Sequence, residues 1–307
     1  MIEVKQLSKQ YGNHLAVDDI SFTVKENEIV GLLGPNGAGK TTTMPMITGF
    51  TPPTKGNITI NGYDSRADSI QLRKQVGYMP ENVPLYPEMT VESYIKFWAR
   101  LRGVKKVNER TAAVLEEFDL TDRRKQLTRN LSKGLRQRLG LAQAIVHEPS
   151  IIILDEPTIG IDPQQVIEVR ETIQKLKQRH TILFSSHLLS EVEQMCDKVI
   201  IINQGKILAQ GSADLLSQQI KPGQYLYVEI RGASPQKVQE QLVLIPTLQS
   251  VERKDNGYLL QSEHNQDIRA EVNQIINQNN WTLLELRQTE ISLEDIFLSL
   301  VQKGKRS

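Results

Sequence analysis

The 307-residue chain has one cysteine, Cys196, so it can close no disulfide within itself and build no multi-cysteine metal site. A reducing, cytosolic setting is the default for such a chain. It also lacks an excess of either charge. Its 37 basic and 36 acidic side chains leave a formal net charge of +1, which argues against broad attraction to nucleic acid or to a lipid surface. Long apolar runs are missing as well. The longest, such as residues 151–154 and 199–202, fall far short of the ~20 residues that a membrane-spanning helix needs. The opening MIEVKQLSKQYG has no apolar h-region and does not read as a cleavable signal. Any service to a membrane therefore runs through a partner. What remains is an ordinary soluble composition, 39% hydrophobic and 24% charged, on a chain long enough for a full core and a second, smaller domain.

The most informative stretch is EIVGLLGPNGAGKTTT at residues 28–43. Gly34, four intervening residues, Gly39, Lys40 and Thr41 fit G-x-x-x-x-G-K-[ST], a loop whose backbone amides wrap a polyphosphate. A nucleotide tail carries several negative charges. The loop answers with consecutive N–H donors and the positive end of a helix dipole. Glycines at 34, 37 and 39 allow close approach of the backbone. Lys40 would reach the β- and γ-phosphates and the Thr41 hydroxyl would enter the shell of Mg²⁺. Ile29, Val30, Leu32 and Leu33 form the short apolar run expected of a buried strand before such a loop. A glycine-rich turn that merely carries a lysine is the bland alternative, and the complete motif behind a strand argues against it.

Residues 2–24 alternate like two strands broken at Tyr11-Gly12-Asn13. Tyr11 can stack on a flat heterocycle or be a half-buried turn tyrosine; alone, the second reading is favoured. Residues 40–50 read as the helix after the phosphate loop, with Pro45 causing a local distortion. A strand is expected over 56–63, ending in the Asn61-Gly62 turn, then a short helix from Ile70, a strand over 76–79 and amphipathic helices over 91–102 and 108–118. Arg100, Arg102, Lys105 and Lys106 read as a solvated face. In LSKGLRQRLGLAQAIV (131–146) Ser132 can cap a helix, and capping alone explains it.

In PSIIILDEPTIGIDPQ (149–164), residues 151–154 read as a buried strand with Asp155 and Glu156 at its carboxyl end, where ligands bind in open α/β sheets. Asp155 would hold Mg²⁺ directly or through water, and Glu156 would polarise a water for attack on the γ-phosphate. The next buried strand, 181–185, ends in Ser186-His187 on the same rim. A lone histidine is ambiguous by itself.

With these pieces in order, residues 1–217 closely resemble the ATP-binding subunits of ABC transporters. Tyr11 matches the aromatic residue that stacks on adenine. Gly34, Pro35, Asn36, Gly37, Ala38, Gly39, Lys40, Thr41 and Thr42 match the phosphate loop, residues 131–135 the signature segment, 151–156 the strand and acid pair, Ile161-Asp162 the D-loop, and His187 the switch histidine. The resemblance implies a P-loop ATPase core of α/β class with an antiparallel β subdomain and a helical subdomain at about 82–145, binding ATP and Mg²⁺. Thr41, Asp155 and Glu81 are its implied metal contacts, and Glu156 and His187 its catalytic pair.

It also implies dimerisation, since Ser132 and Gly134 of one subunit complete the ATP site of the other, with a homodimer favoured over a heterodimer. The chain departs from the family pattern LSGGQ at Lys133 and Leu135, and carries Glu81 where the family has glutamine. The GYMPE and LSKGLRQR forms resemble a subgroup that serves separate export permeases, which would place the chain on the inner face of the cell membrane. There the loop and helices of 81–102 would dock the permease. A soluble ABC ATPase acting on nucleic acid or ribosomes is the alternative, and a subunit that senses ATP without turning it over is a third. No nucleic-acid partner is expected.

From 218 to 307 the pattern changes to strand, helix, strand, strand, helix, strand, at 225–231, 235–242, 251–255, 257–262, 267–279 and 283–287, with a last helix at 293–301. That is a ferredoxin-like order of a small α+β domain, and it resembles the accessory C-terminal domain of the same export subgroup.

Overall fold

A computed structural model describes residues 1–212, 215–216, 224–263, 266–289 and 297. The chain divides into two compact units between Ser212 and Ala213, whereas the sequence pattern changes after Ser217. Apart from Phe297, which is helical, the helix expected at 293–301 lies outside the described residues.

In the first unit, strands β1 (Ile2–Tyr11) and β2 (His14–Val24) form the expected hairpin, joined by β4 (Lys55–Ile60) and β5 (Tyr63–Asp64) in the antiparallel order β2-β1-β4-β5. A second sheet has the order β10-β9-β3-β8-β7-β6, with β3 (Ile29–Leu33), β6 (Val76–Met79), β7 (Ile151–Asp155), β8 (Thr181–Ser186) and β9 (Lys198–Asn203) parallel and β10 (Lys206–Gly211) antiparallel. Its central strands β3, β7 and β8 are buried along their whole length. Each large aliphatic side chain so buried contributes roughly 1.5–3 kcal/mol. Helix α1 (Lys40–Ile47) packs on β2 of one sheet and on β7 and β8 of the other. Met44 and Ile47 join Val4, Ile58, Leu32 and Ile153 in one core.

Helix α1 ends at Ile47, not at Phe50. The reason is a left-handed Gly49 (φ 71°): the Phe50 N–H bonds the Pro45 carbonyl at 2.9 Å and the Gly49 N–H bonds Met46 at 3.1 Å, which turns the chain out of the helix. Pro45 is held inside the helix, and the strand expected from residue 56 ends, as expected, in the Asn61-Gly62 turn, with β4 closing at Ile60 and β5 opening at Tyr63.

Helices α2 (Ser69–Gln75), α3 (Val91–Leu101), α4 (Val107–Glu117) and α5 (Lys133–Ile145) follow between β5 and β7. Thr90 caps α3 and Ser132 caps α5. Helices α6 (Pro163–Leu176) and α7 (Leu189–Met195) flank β8.

In the second unit β11 (Gln224–Arg231), α8 (Pro235–Leu242), β12 (Leu248–Lys254), β13 (Gly257–Ser262), α9 (Arg269–Gln278) and β14 (Thr282–Thr289) give an antiparallel sheet of order β12-β13-β11-β14. Val238 and Leu242 of α8 and Val272 and Ile276 of α9 pack with Leu226, Val228 and Leu260 of the sheet.

Pro45 supplies no N–H to the Thr41 carbonyl, so Pro45→Ala should stabilise the chain by about 1 kcal/mol or more and raise its melting temperature by a few degrees. Calorimetry checks this; a lower melting temperature would contradict it.

Candidate functional site

The carboxyl ends of β3, β7 and β8 meet beside the amino end of α1. The loop leaving β3 must turn tightly there: a Cβ on Gly34 would lie 2.2 Å from the Ile202 carbonyl oxygen, so no other residue fits. Gly39 caps α1, and Lys40 opens it. The Lys40 side chain is buried and folds back over the loop, donating from Nζ to the carbonyls of Gly34 (2.6 Å) and Pro35 (3.3 Å). It also pairs with Glu156 Oε1 at 3.3 Å, the two side chains being 4% and 7% exposed.

Glu156 has a backbone that the sequence does not announce. Its φ is 48°, the left-handed region that a non-glycine residue enters at a cost. The Ser185 hydroxyl holds it, accepting the Glu156 N–H at 2.9 Å and donating to Asp155 Oδ1 at 2.5 Å. One side chain from β8 thus orients both acids. On its other oxygen, Glu156 receives His187 Nδ1 at 2.8 Å. Asp155 is 2% exposed, and burial, followed by the charges of Glu156 and Glu81, raises its carboxyl above the usual carboxylate range against the opposing Ser185 hydrogen bond.

Around Lys40 lies a cavity of about 470 Å³ lined by Tyr11, Pro35, Asn36, Gly37, Gly39, Lys40, Thr41, Thr42, Glu81 and Glu156. Gly34 and Ala38 sit behind it as buried supports. Asp155 and His187 do not line it, but each is one hydrogen bond or one residue from Glu156, which does. Tyr11 is 52% exposed at its mouth, and the Lys9 ammonium stands 5.1 Å from the ring centroid. Among the described residues, no three of His, Cys, Asp and Glu gather closely enough to hold a metal ion unaided. The hard oxygen donors Thr41, Glu81 and Asp155 suit a magnesium ion that takes its other ligands from phosphate and water.

Ser132, Gly134 and Asp162 do not line this cavity. They form a second group: Ser132 accepts the Leu135 N–H at 3.3 Å, Asp162 caps α6 through the Gln165 N–H at 3.0 Å, and a Cβ on Gly134 would meet Gln165 Oε1 at 2.2 Å.

A family model described as ABC transporter matches residues 17–159. The linearmycin resistance ATP-binding protein LnrL of Bacillus subtilis (strain 168) is 32% identical over 100% of both chains. This chain belongs to the ABC transporter ATP-binding family. The bacitracin transport ATP-binding protein BcrA of Bacillus licheniformis is 34% identical over 99% of this chain and 98% of its own. A solved ATP-binding subunit of an ABC transporter superposes with a TM-score of 0.67 at 33% identity, covering 79% of this chain and 99% of that one. The fold is that of an ABC ATPase, and the chain is an ATPase of that family.

Four residues of this ABC ATPase site escape motif reading. His14, Ala16 and Ile159 line the cavity, and Ser185 bridges the acids. His14 has a signal in hindsight, since the β1–β2 register pairs it with Tyr11.

Because the folded state raises the Asp155 pKa, the native chain holds that proton more tightly than the unfolded chain. Its contribution to stability is then most unfavourable above the raised value and is relieved as pH falls through it. Asp155→Asn, which can still accept the Ser185 bond, should therefore melt higher than the parent near neutral pH without nucleotide, and the gain should shrink in acid. Thermal melts across pH test this; an unchanged or lower melting temperature at neutral pH would contradict it.

Proposed function

We propose that this ABC ATPase is the energy-coupling subunit of an exporter: two ATP-binding chains, a homodimer in the favoured arrangement, drive a separate membrane permease. The observation that carries this is the split of site residues into two groups. Lys40, Thr41, Glu81 and Glu156 share one cavity, while Ser132, Gly134 and Asp162 lie together off it. In this reading each group meets its complement on the facing chain, with ATP between them. Tyr11 stacks on adenine, and the loop amides of residues 34–42 with Lys40 hold the phosphates. Mg²⁺, held by Thr41, Asp155 and Glu81, would neutralise charge on the phosphates. Glu156 accepts a proton from a water that attacks the γ-phosphorus as the bond to the bridging oxygen breaks, giving ADP and inorganic phosphate. His187 contacts the γ-phosphate from the other side of Glu156.

Export, rather than work on nucleic acid or ribosomes, is favoured by relatives named for antibiotic resistance and transport. No described helix is long and apolar enough to cross a membrane, so this reading places the permease on another chain and the ATPase on the membrane's inner face. A groove of about 750 Å³ supports it. Phe50, Ile70 and Leu101 are strongly exposed there beside Arg73, Lys74 and Arg102. Arg102 donates to the Arg73 carbonyl at 2.9 Å, and burial, then the Arg73 charge, lowers its pKa. Among the described residues none of the three cations has a carboxylate partner, so an amphipathic permease segment bearing acidic residues suits the groove. The second unit, which begins at Ala213, is proposed as a ferredoxin-like accessory domain on the strength of its sheet order.

Glu156→Gln should lower ATP turnover by roughly a hundred-fold or more while nucleotide affinity stays within a few-fold, as expected of a group that acts on the attacking water; undiminished turnover would remove that role. Lys40→Ala should abolish ATP binding in a calorimetric titration, and retained binding would count against the phosphate-loop assignment. Charge reversal at Arg73 and Arg102 together should weaken association with the permease by roughly ten-fold and leave ATP affinity unchanged. A co-purification that survives the reversal would move the docking surface elsewhere.

A further inference from the structure

Glu191 is a carboxylate with no place in the chemistry above. It lies in the first turn of α7 and is 2% exposed. Its Oε1 has no hydrogen-bond partner among the described residues, and Oε2 accepts one bond, from the Ser186 hydroxyl at 2.9 Å. A carboxyl group taken out of water and left half satisfied is costly, and an apolar side chain of the same size would fill the space at less cost. Fold stability alone does not account for it.

What Glu191 does is orient Ser186. That hydroxyl has one proton to give and two acceptors nearby, Glu191 Oε2 at 2.9 Å and the Leu188 carbonyl at 3.5 Å. With its proton on Glu191, the oxygen turns a lone pair to the Leu188 N–H, which it receives at 3.0 Å. The bonds from Ser186 to Leu188 and Glu191 span the residue between them, His187. That histidine leaves the end of β8 and reaches Glu156 with Nδ1 at 2.8 Å. Nearby, the Val192 and Cys196 side chains of this segment press against Gly31 of β3, where a Cβ would meet them at 2.9 and 2.7 Å. The segment is therefore seated on the strand that carries the phosphate loop.

We propose that Glu191 is a positioning residue for His187: through the Ser186 hydroxyl it locks the turn that presents the imidazole to Glu156 and to the γ-phosphate. The inference rests on the reading of His187 as a γ-phosphate contact. A latch made of a buried acid and a hydroxyl sets the angle of the ring without touching nucleotide. Its loss should appear in the rate of the chemical step and leave ATP binding largely alone.

Steady-state ATPase kinetics and thermal melts on the full-length chain test this with Glu191→Leu, Glu191→Gln, His187→Ala and the double variant His187→Ala/Glu191→Leu. Leucine removes the buried, half-satisfied carboxyl group and should hold or raise the melting temperature, yet lower kcat roughly ten-fold with KM for ATP within about two-fold. Glutamine keeps an oxygen that can accept the Ser186 proton and should retain most of the rate. In the His187→Ala background the leucine change should cost nothing further. A Glu191→Leu chain with parental kcat beside an inactive His187→Ala chain would overturn the latch alone. So would losses that multiply in the double variant, or a rate loss that tracks a lower melting temperature and is not rescued by glutamine. A His187→Ala chain at full turnover would instead remove the reading of His187 beneath it.

Discussion

The buried pair of Lys40 and Glu156 is the constraint on which the rest of the first unit turns. A cation at 4% exposure and a carboxylate at 7% each need the other, because removing one partner strands a charge in a medium that penalises it. Lys40 meets further demand with the carbonyls of Gly34 and Pro35, the Glu156 carboxylate with His187, and the Glu156 backbone N–H with the Ser185 hydroxyl. Three strands must therefore end in register. Parallel pairing of β3 with β8, and of β8 with β7, brings Leu33 level with Ser186 and Asp155 level with Ser185. The apolar strands behind that rim supply rigidity, and the rim supplies the charge.

Much of this was legible in the sequence because phosphate chemistry is written locally. The loop of residues 34–42, the acids after residues 151–154 and the histidine after 181–185 each follow an apolar run short enough to be only a buried strand. What was not legible depends on long-range pairing or on backbone angles. His14 and Ala16 enter the cavity because β1 and β2 pair across a turn. Ser185 was one residue of a strand until β8 placed it against Asp155. The left-handed φ of Glu156 has no residue-type signal, since glutamate seldom adopts it. The early end of α1 at Ile47 was readable in principle from Gly49, but the apolar residues on either side favoured a longer helix. In the second unit, amphipathic spacing marked α8 and α9 well, and the sheet order emerged only with the pairing.

The groove and the site lie within the same unit, and their chemistries are opposite. One gathers carboxylates and a single buried lysine around a place for phosphate; the other leaves three cations unpaired among the described residues beside exposed Phe50, Ile70 and Leu101. In the proposed exporter the two would be coupled through β6 and the loop after it, since β6 carries Tyr78 to the groove and leads to Glu81 at the cavity. A carboxylate at Glu81 makes that link sensitive to charge at the acids, since Asp155 is held above the usual carboxylate range by burial and by the charges of Glu156 and Glu81.

The central claim is that one chain holds only half of what a triphosphate requires, the rest coming from Ser132 and Gly134 of a facing copy. Sedimentation velocity of the Glu156→Gln chain, with and without Mg·ATP, tests it most directly. The account predicts a monomer without nucleotide and a dimer with it. A chain that stays monomeric with Mg·ATP bound, cleavage blocked and the membrane partner supplied would contradict it.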